Sequence, residues 1–466
     1  MVNSQMSRIM NRVADLARSR SGGVAVYSAL VVTTMIGAGA VAVDVGRLVV
    51  LRAQMQNAAD SAALSAVTQL DGRSGARSRA TAVAQTTITQ ASGLTSGGNL
   101  PVSSVQFYSA VSPTEVTATN DVDAFFVRVT LTPQAIDALS APLVRLVSSG
   151  SVSGTVTLAA SATATTAPII CNAPPFMICD PAETGGSSQD VRDPVNIGRQ
   201  MLIKPGGGGG FTAGNYGLLC VPDGAGGTDC GASAINDALA AVTPAQCYDR
   251  LVTTATGSKT NEVRNGINAR FDQGTNTPHN PAENVINYPR DSNMSGAVIY
   301  GNGNWDRVAY WSAKHGGAAL PSVLTDATRF QVYLSELGKT FAKNGTRTIY
   351  PAPATVPSGY TLVAPGSASV PVASSPSNAS NNNFDGVPET TPVTNPKRRV
   401  VQAAILQCNA LGVSGSHEYP TYGRYVELFI TETVSAPPNA DIYGEILGAF
   451  DQGVSSSYHL NAKLVQ

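Results

Sequence analysis

Charge is scarce in this 466-residue sequence. Asp, Glu, Lys and Arg make up 13% of it and the net charge is −1, where ordinary soluble domains carry roughly 25% charged residues. A chain so sparsely and evenly charged offers no basic surface to a polyphosphate, which removes nucleic acid as a partner. Histidine is scarcer still: His279, His315, His417 and His459 are scattered without ligand spacing, so no metal centre is expected from them. Catalytic signatures fail one by one. The Gly206 to Gly210 run lacks the Lys and Ser/Thr that complete a phosphate loop. Gly338-Lys339-Thr340 has Tyr333 where that motif needs its first glycine. The stretch Gly301 to Asp306 (GNGNWD) never completes a dinucleotide fingerprint and reads as a turn before a buried Trp. Gly412 to Ser416 ends in Ser where a nucleophile elbow needs Gly. His417 beside Glu418 is an isolated acid/base pair. On these absences no enzyme and no cofactor is expected.

A long apolar run occurs near the N-terminus. Val24 to Val43 carries no charged residue and is long enough to cross a hydrocarbon core of about 30 Å as a helix. Arg8, Arg12, Arg18 and Arg20 precede it, opposed only by Asp15, while Asp44, Arg47, Arg52 and Asp60 balance after it. This asymmetry places the N-terminus in the cytoplasm and the bulk of the chain outside. A retained single-pass anchor is expected over its competitor, a cleaved signal peptide, whose apolar core would be shorter, about 7–15 residues.

The helix is expected to continue past the membrane. Leu48, Leu51, Met55, Ala59, Ala62 and Ala66 recur at spacings of three and four, one face of a helix, with Arg47, Arg52, Gln54, Gln56, Asn57 and Asp60 on the other side. Ala38, Ala42 and Gly46 form a row of small residues, and Ala58, Ala62 and Ala66 form another. Such rows let helices approach closely. They serve equally lateral packing against other long helices, a second copy included, or packing on the chain's own domain. Asp44 at the membrane edge either marks a functional site or, in the plainer reading, is solvated or paired with Arg47 three residues on.

No cysteine precedes Cys171; Cys171, Cys179, Cys220, Cys230, Cys247 and Cys408 follow it. An even number beyond a membrane segment favours disulfides in an oxidising compartment, and the spacings disfavour zinc. Six cysteines allow 15 connectivities; local Cys171–Cys179 and Cys220–Cys230 links are the simplest. The fold class expected is α+β: an N-terminal transmembrane helix continuing into a long pilin-like helix, then a β-rich, disulfide-containing exported domain. Residues 1–23 form the cytoplasmic tail and 24–43 the span. Residues 44–167 hold the long helix and a small α+β unit, with a short polar helix over 74–92, strands at SVQFYSAV, AFFVRVTLTP and SGTVTLAASATATTAP, and helical turns in QAIDALSAPLVRLV. Residues 168–350 are a loop-rich domain, and 351–396 a Pro/Ser/Asn-rich loop. Its Asn381 to Gly386 stretch has Pro392 where a calcium loop needs Glu. Residues 397–466 are strands that complete the domain. Tyr300, Trp305, Tyr310 and Trp311 are the densest aromatic cluster. On an open face they would stack on sugars, as a binding protein requires; inside they are core.

The strings AVDVGR (Ala42 to Arg47) and QNAADSAALSA (Gln56 to Ala66), with the glycine before the apolar run, resemble the N-terminal segment of the Tad (tight adherence) pilus-assembly proteins of the TadE/TadG-like group. CNAPPFMIC, GNYGLL, NGINARFD, GNGNWD and KRRVVQAAILQC also resemble TadG-like proteins. The resemblance implies a component of the Flp-type pilus machinery, anchored in the bacterial inner membrane, facing the periplasm and serving adhesion, biofilm formation and surface colonisation. Other assembly membrane proteins or pilins would then meet the N-terminal helix. Relatives processed as prepilins carry Glu five residues after the processed Gly. Counted from Gly23 that position is Ser28, so such processing is not expected. Asp291 to Ser295 lacks the middle Ser of the DxSxS metal motif of other relatives.

Overall fold

A computed structural model describes residues 22–87, 100–121, 123–142, 154–184, 190–204, 216–244, 247–256, 259–273, 280–294, 298, 300–365, 386–436, 440–450 and 458–465. The arginines before the span, the Gly206 to Gly210 run and most of the Asn381 to Gly386 stretch lie outside them. The chain divides into two compact units, Met1–Thr165 with Ala462–Gln466, and Thr166–Asn461.

The N-terminal unit is built on one helix, α1 (Gly22–Val67). From Val24 to Val43 its side chains are largely exposed, and this part is long and apolar enough to cross a membrane. Beyond it the helix becomes buried. Leu51, Met55, Ala58, Ala59, Ala62, Ala63, Ala66 and Val67 are buried, at the spacing of one helix face. They share a core with Ala80 and Ala84 of α2 (Ala76–Thr87). A sheet closes the other side, in the order β6-β3-β1-β2: β1 (Val102–Ala110), β2 (Val116–Thr117), β3 (Phe126–Leu131) and the first part of β6 (Ser161–Cys171). All these pairs are antiparallel. Along β3 the pattern alternates strictly: Val127, Val129 and Leu131 enter the core, while Arg128 faces outward onto Glu115, Tyr108 and Thr163. The chain's last strand, Tyr458–Val465, also pairs with β6, so the final residues return to this unit and not to the domain that the preceding strands complete.

Of the stretch expected to form helical turns, the first part is instead a strand, β4 (Gln134–Asp137), paired antiparallel with β5 (Thr155–Leu158); residues 141–142 are helical and the rest of the stretch lies outside the described residues. Pairing in this register puts Ile136 into the core, and tertiary burial overrides a weak local helix preference. At the start of α2, the Asp121 carboxylate accepts from the N–H groups of Gly75 (2.8 Å) and Arg77 (3.1 Å) and from the Arg77 guanidinium (3.1 Å). A helix N-terminus favours an anion. Burial works against the Asp121 charge, but these donors together hold its carboxyl below the usual range.

The C-terminal unit centres on a mixed eight-stranded sheet. Its strands are β7 (Phe176–Cys179), β8 (Gln200–Lys204), β9 (Tyr216–Leu219), β13 (Leu251–Ala255), β17 (Val400–Leu406), β18 (Glu418–Pro420), β19 (Tyr425–Ile430) and β20 (Ile442–Ala449), in the order β18-β13-β9-β7-β17-β19-β20-β8. Only β7 and β17 run parallel. Both faces are buried, so these strands read as nearly continuous apolar runs. Val401, Ala403 and Ile405 of β17 and Val426, Leu428 and Ile430 of β19 face α3 (Ala232–Ala240) and α4 (Thr260–Asn268), meeting Ile235, Leu239, Val263 and Ile267. The alternate residues face the opposite way, Ala404, Leu406 and Tyr425 into one cluster and Val400 and Phe429 into an aromatic one. Helices α5 (Arg307–Lys314) and α6 (Arg329–Glu336) contribute to the aromatic cluster. The remaining strands are short. β10 (Val221–Pro222) and β11 (Thr228–Asp229) make a hairpin, and β12 (Cys247–Tyr248) pairs with the end of β6. β14 (Phe341–Asn344) lies between β15 (Arg347–Ile349) and β16 (Thr361–Val363), so the Pro/Ser/Asn-rich segment contains a paired strand.

All six cysteines are in disulfides. Cys220–Cys230 brackets the β10–β11 hairpin, the short link expected. Cys171 and Cys179 are not joined: one ends β6 and the other ends β7, strands of different sheets. Cys171 bonds Cys247, its direct partner across β6 and β12, and Cys179 bonds Cys408, just past β17.

Two outcomes follow from this architecture. Replacing Cys179 and Cys408 together by Ala should cost about 3–5 kcal/mol in urea unfolding of the C-terminal unit, more than replacing Cys220 and Cys230, because the first pair closes a far longer loop; equal losses would contradict it. Asp121→Asn should cost about 1 kcal/mol at neutral pH. A carboxyl lowered in the folded state stabilises above the unfolded pKa and loses that effect as pH falls through the folded one. The gap between wild type and variant, followed by thermal melting, should therefore close once the pH drops below the ordinary aspartate range.

Candidate functional site

Where the apolar run of α1 meets its buried half, Asp44 does something its sequence neighbours do not reveal. It is 9% exposed. Its Oδ1 accepts the N–H of Leu139 (2.9 Å) and its Oδ2 that of Ser140 (2.8 Å). Arg47 sits 3.9 Å from Asp44 as an ion pair and donates from Nη1 to the carbonyl of Asp137 at 3.3 Å. Both charged residues of the AVDVGR string therefore reach the same turn, Asp137 to Ser140, which follows β4. A carboxylate taking two backbone N–H groups fixes a turn more firmly than an exposed ion pair fixes a side chain. The partners lie some 95 residues on, so no local spacing signals them; the polar loop after β4 is the nearest thing to a clue.

The two small-residue rows separate. Ala58, Ala62 and Ala66, with Leu51, Met55 and Ala59, are consumed by the core of the N-terminal unit. Their small side chains let α2 and the sheet approach α1. Leu48 packs at the edge of the same core. Ala38, Ala42 and Gly46 are exposed, and a Cβ on Gly46 would meet nothing within 4 Å. Val45, Val49 and Val50 are exposed as well.

In the C-terminal unit the aromatic cluster is interior. Trp305, Tyr310 and Trp311 are buried and Tyr300 partly so, with Tyr288, Phe330, Tyr333 and Phe429 around the first three. These rings are therefore not on an open face that could stack on a sugar. The cluster encloses Glu336, which accepts from Asn284 Nδ2 (2.8 Å) and from the hydroxyls of Tyr288 (2.5 Å) and Tyr310 (2.8 Å); His315 Nε2 lies 3.1 Å away. Burial, then the neighbouring Glu336, pushes both tyrosine hydroxyls well above their ordinary range, so they remain donors. His315 is stacked on Trp311 with its side chain buried. This group closes a core. His417 and Glu418 lie exposed at the β18 edge. Among the described residues no cluster of His, Cys, Asp and Glu is arranged to hold a metal ion.

Sequence reasoning also missed the interior arginines. Arg399, fully buried, donates to the carbonyls of Asn284, Ile286, Ile430 and Thr431 and lies 4.2 Å from the Phe271 ring. Arg398 donates to Asn280, Ala240 and Ala241, and burial pushes its guanidinium down to about 10. Arg329 bonds Asp291 (2.5 Å), the Pro289 carbonyl (2.7 Å) and Glu445 (3.3 Å). Asp291 explains two glycines of GNGNWD. A Cβ at Gly301 would fall 1.9 Å from its Oδ2, and Gly303, at φ +76°, donates its N–H to the same oxygen. Asp306 then caps α5 through the N–H of Ala309.

Residues 22–69 match a family model described as a putative Flp pilus-assembly TadE/G-like domain. The match takes in all of α1 and ends just past it; the other stretches that resemble TadG-like proteins lie outside it. No curated protein and no solved structure matches the chain.

If Asp44 fixes the turn, Asp44→Asn should speed hydrogen exchange at the Leu139 and Ser140 amides while exchange along β3 stays unchanged. Unaltered exchange at those two amides would show that the carboxylate does not hold them.

Proposed function

We propose that this protein, whose N-terminal segment carries a TadE/G-like domain and an apolar helix suited to single-pass anchoring, is a structural component of a Tad/Flp-type pilus assembly system. In this reading it is held in the inner membrane by α1, with its N-terminus cytoplasmic and both folded units in the periplasm. Its part is to scaffold assembly for surface adhesion and biofilm formation, not to catalyse a reaction. The observation that carries the reading is the double life of α1: one unbroken helix is lipid-suited over Val24 to Val43 and core of a folded head over Leu51 to Val67. Such a helix couples whatever happens in the membrane rigidly to what happens outside it. The three disulfides fit an oxidising compartment beyond the membrane. The exposed Ala38, Ala42 and Gly46 row is the surface through which pilins, other assembly proteins or a second copy would meet α1 within the bilayer.

The test is thiol status and location in spheroplasts, read with and without reductant, together with fractionation. A full-length chain in the inner membrane, with thiols that alkylate only from outside and only after reduction, is the expected result. Free thiols reached only from the cytoplasm, or a chain released without its first segment, would overturn the topology. Appearance in sheared pilus fractions would make the chain a pilus subunit instead of a scaffold.

A further inference from the structure

The junction at Asp44 sets more than a turn; it sets a height. The apolar run ends at Val43, so in an anchored chain the Asp44 carboxylate lies at the boundary where hydrocarbon gives way to headgroups. Because that carboxylate holds the N–H groups of Leu139 and Ser140 at 2.9 and 2.8 Å, the turn after β4 lies at the same height. There the chain presents Leu139, 54% exposed although it is a large apolar side chain in a folded unit. On α1 itself Val45, Val49 and Val50 are also exposed, within two turns of Asp44. Four exposed aliphatic side chains around one carboxylate make a poor water-facing surface. Arg47, at the same level, has the long stem and charged end that suit the headgroup layer.

We propose that the Asp137 to Ser140 turn and the first turns of α1 beyond Val43 form a bilayer-seating surface. Leu139, Val45, Val49 and Val50 enter the interfacial layer of the membrane that α1 spans, and Asp44 is the positioning residue that holds the turn down to it. The occupant is the lipid interface, argued from continuity with the spanning part of α1. The far end of the same unit supplies the contrast. Val116, 49% exposed, belongs to the β1–β2 end beside the Asp121 clamp, and α1 runs on from Asp44 to Val67, about 35 Å at 1.5 Å per residue. The proposal rests on the membrane-anchored reading, and its test separates the two.

Because every cysteine is in a disulfide, single cysteines introduced into the full-length chain can be labelled with an environment-sensitive fluorophore and reconstituted in phosphatidylcholine/phosphatidylglycerol vesicles. Quenching by nitroxide lipids labelled near the headgroup or deep in the acyl chain then reports depth. Met35→Cys should be quenched best by the deep nitroxide and Val116→Cys by neither. Leu139→Cys should show a blue-shifted emission and quenching by the shallow nitroxide. Adding Asp44→Asn should shift the Leu139 emission back toward that of Val116, and leave Met35 unchanged. A deep signal from Met35 with Leu139 as unquenched as Val116 would overturn the seating surface and leave the anchor standing. An unquenched Met35 would overturn the anchor, and the proposal with it.

Discussion

One helix carries an exposed apolar stretch and a buried one. The side chains of α1 are exposed and apolar up to Val43; eight residues later they form the centre of a folded core. An α-helix cannot bend to separate these environments without a proline, an inserted group or a bulge, and the stretch through the junction holds no proline. Everything else in the N-terminal unit must therefore be arranged around a fixed axis. The sheet and α2 close on the Ala-rich face because small side chains let them come near, and many alanines are needed because each buries little apolar area. The ends of the arrangement are held by carboxylates that accept backbone N–H groups: Asp44 on the turn after β4, Asp121 on the start of α2.

The C-terminal unit solves a different problem. Much of its chain is irregular, and buried irregular backbone must still find hydrogen-bond partners. The few charges of this sparsely charged sequence are used inside for that purpose. Arg399 gathers carbonyls from the 284–286 segment and from the end of β19; Arg398 gathers others from the end of α3 and from residue 280. A guanidinium suits the role because it holds several donors in one rigid plane and stays charged even when burial lowers its pKa. Arg399 keeps that plane against Phe271 and Phe429. Where carboxylates are buried too, they are paired: Glu445 takes the N–H groups of Arg329 and Phe330 and faces the Arg329 guanidinium, though burial raises its carboxyl.

What was legible in advance had a short period. The membrane run, the helix continuing through Ala66, the alternation of β3 and the C-terminal strands are patterns of spacing two or between three and four, visible within one element. The hairpin at β4 was not legible, because its pairing with β5 is decided by Ile136 reaching a core assembled from α1 and β3. Nor was the partner of Asp44. Arg47 stands at the ideal spacing for an ion pair, and a nearby candidate hides a distant one. Residues 397 onward read as strand, and β17 does begin at Val400, just after them; that Arg398 and Arg399, in the turn before it, would be interior required knowing which carbonyls end up beside them.

The cysteine pairing shows the same limit with a physical cause. Cys171 and Cys179 are neighbours in sequence, yet the chain leaves one sheet and enters another between them. Cys179 instead joins Cys408 at the parallel β7–β17 pair, across a sequence separation of 229. Every other adjacency in the eight-stranded sheet is antiparallel. Parallel pairing always needs a crossover, and this crossover is most of the unit. Bringing those strands together closes a long loop at an entropic cost, and of the three disulfides the one at this pairing closes the longest loop, where a cross-link helps most. The covalent bond thus sits at a pairing between strands far apart in sequence, while β19 and β20 are consecutive in the chain and pair antiparallel without one.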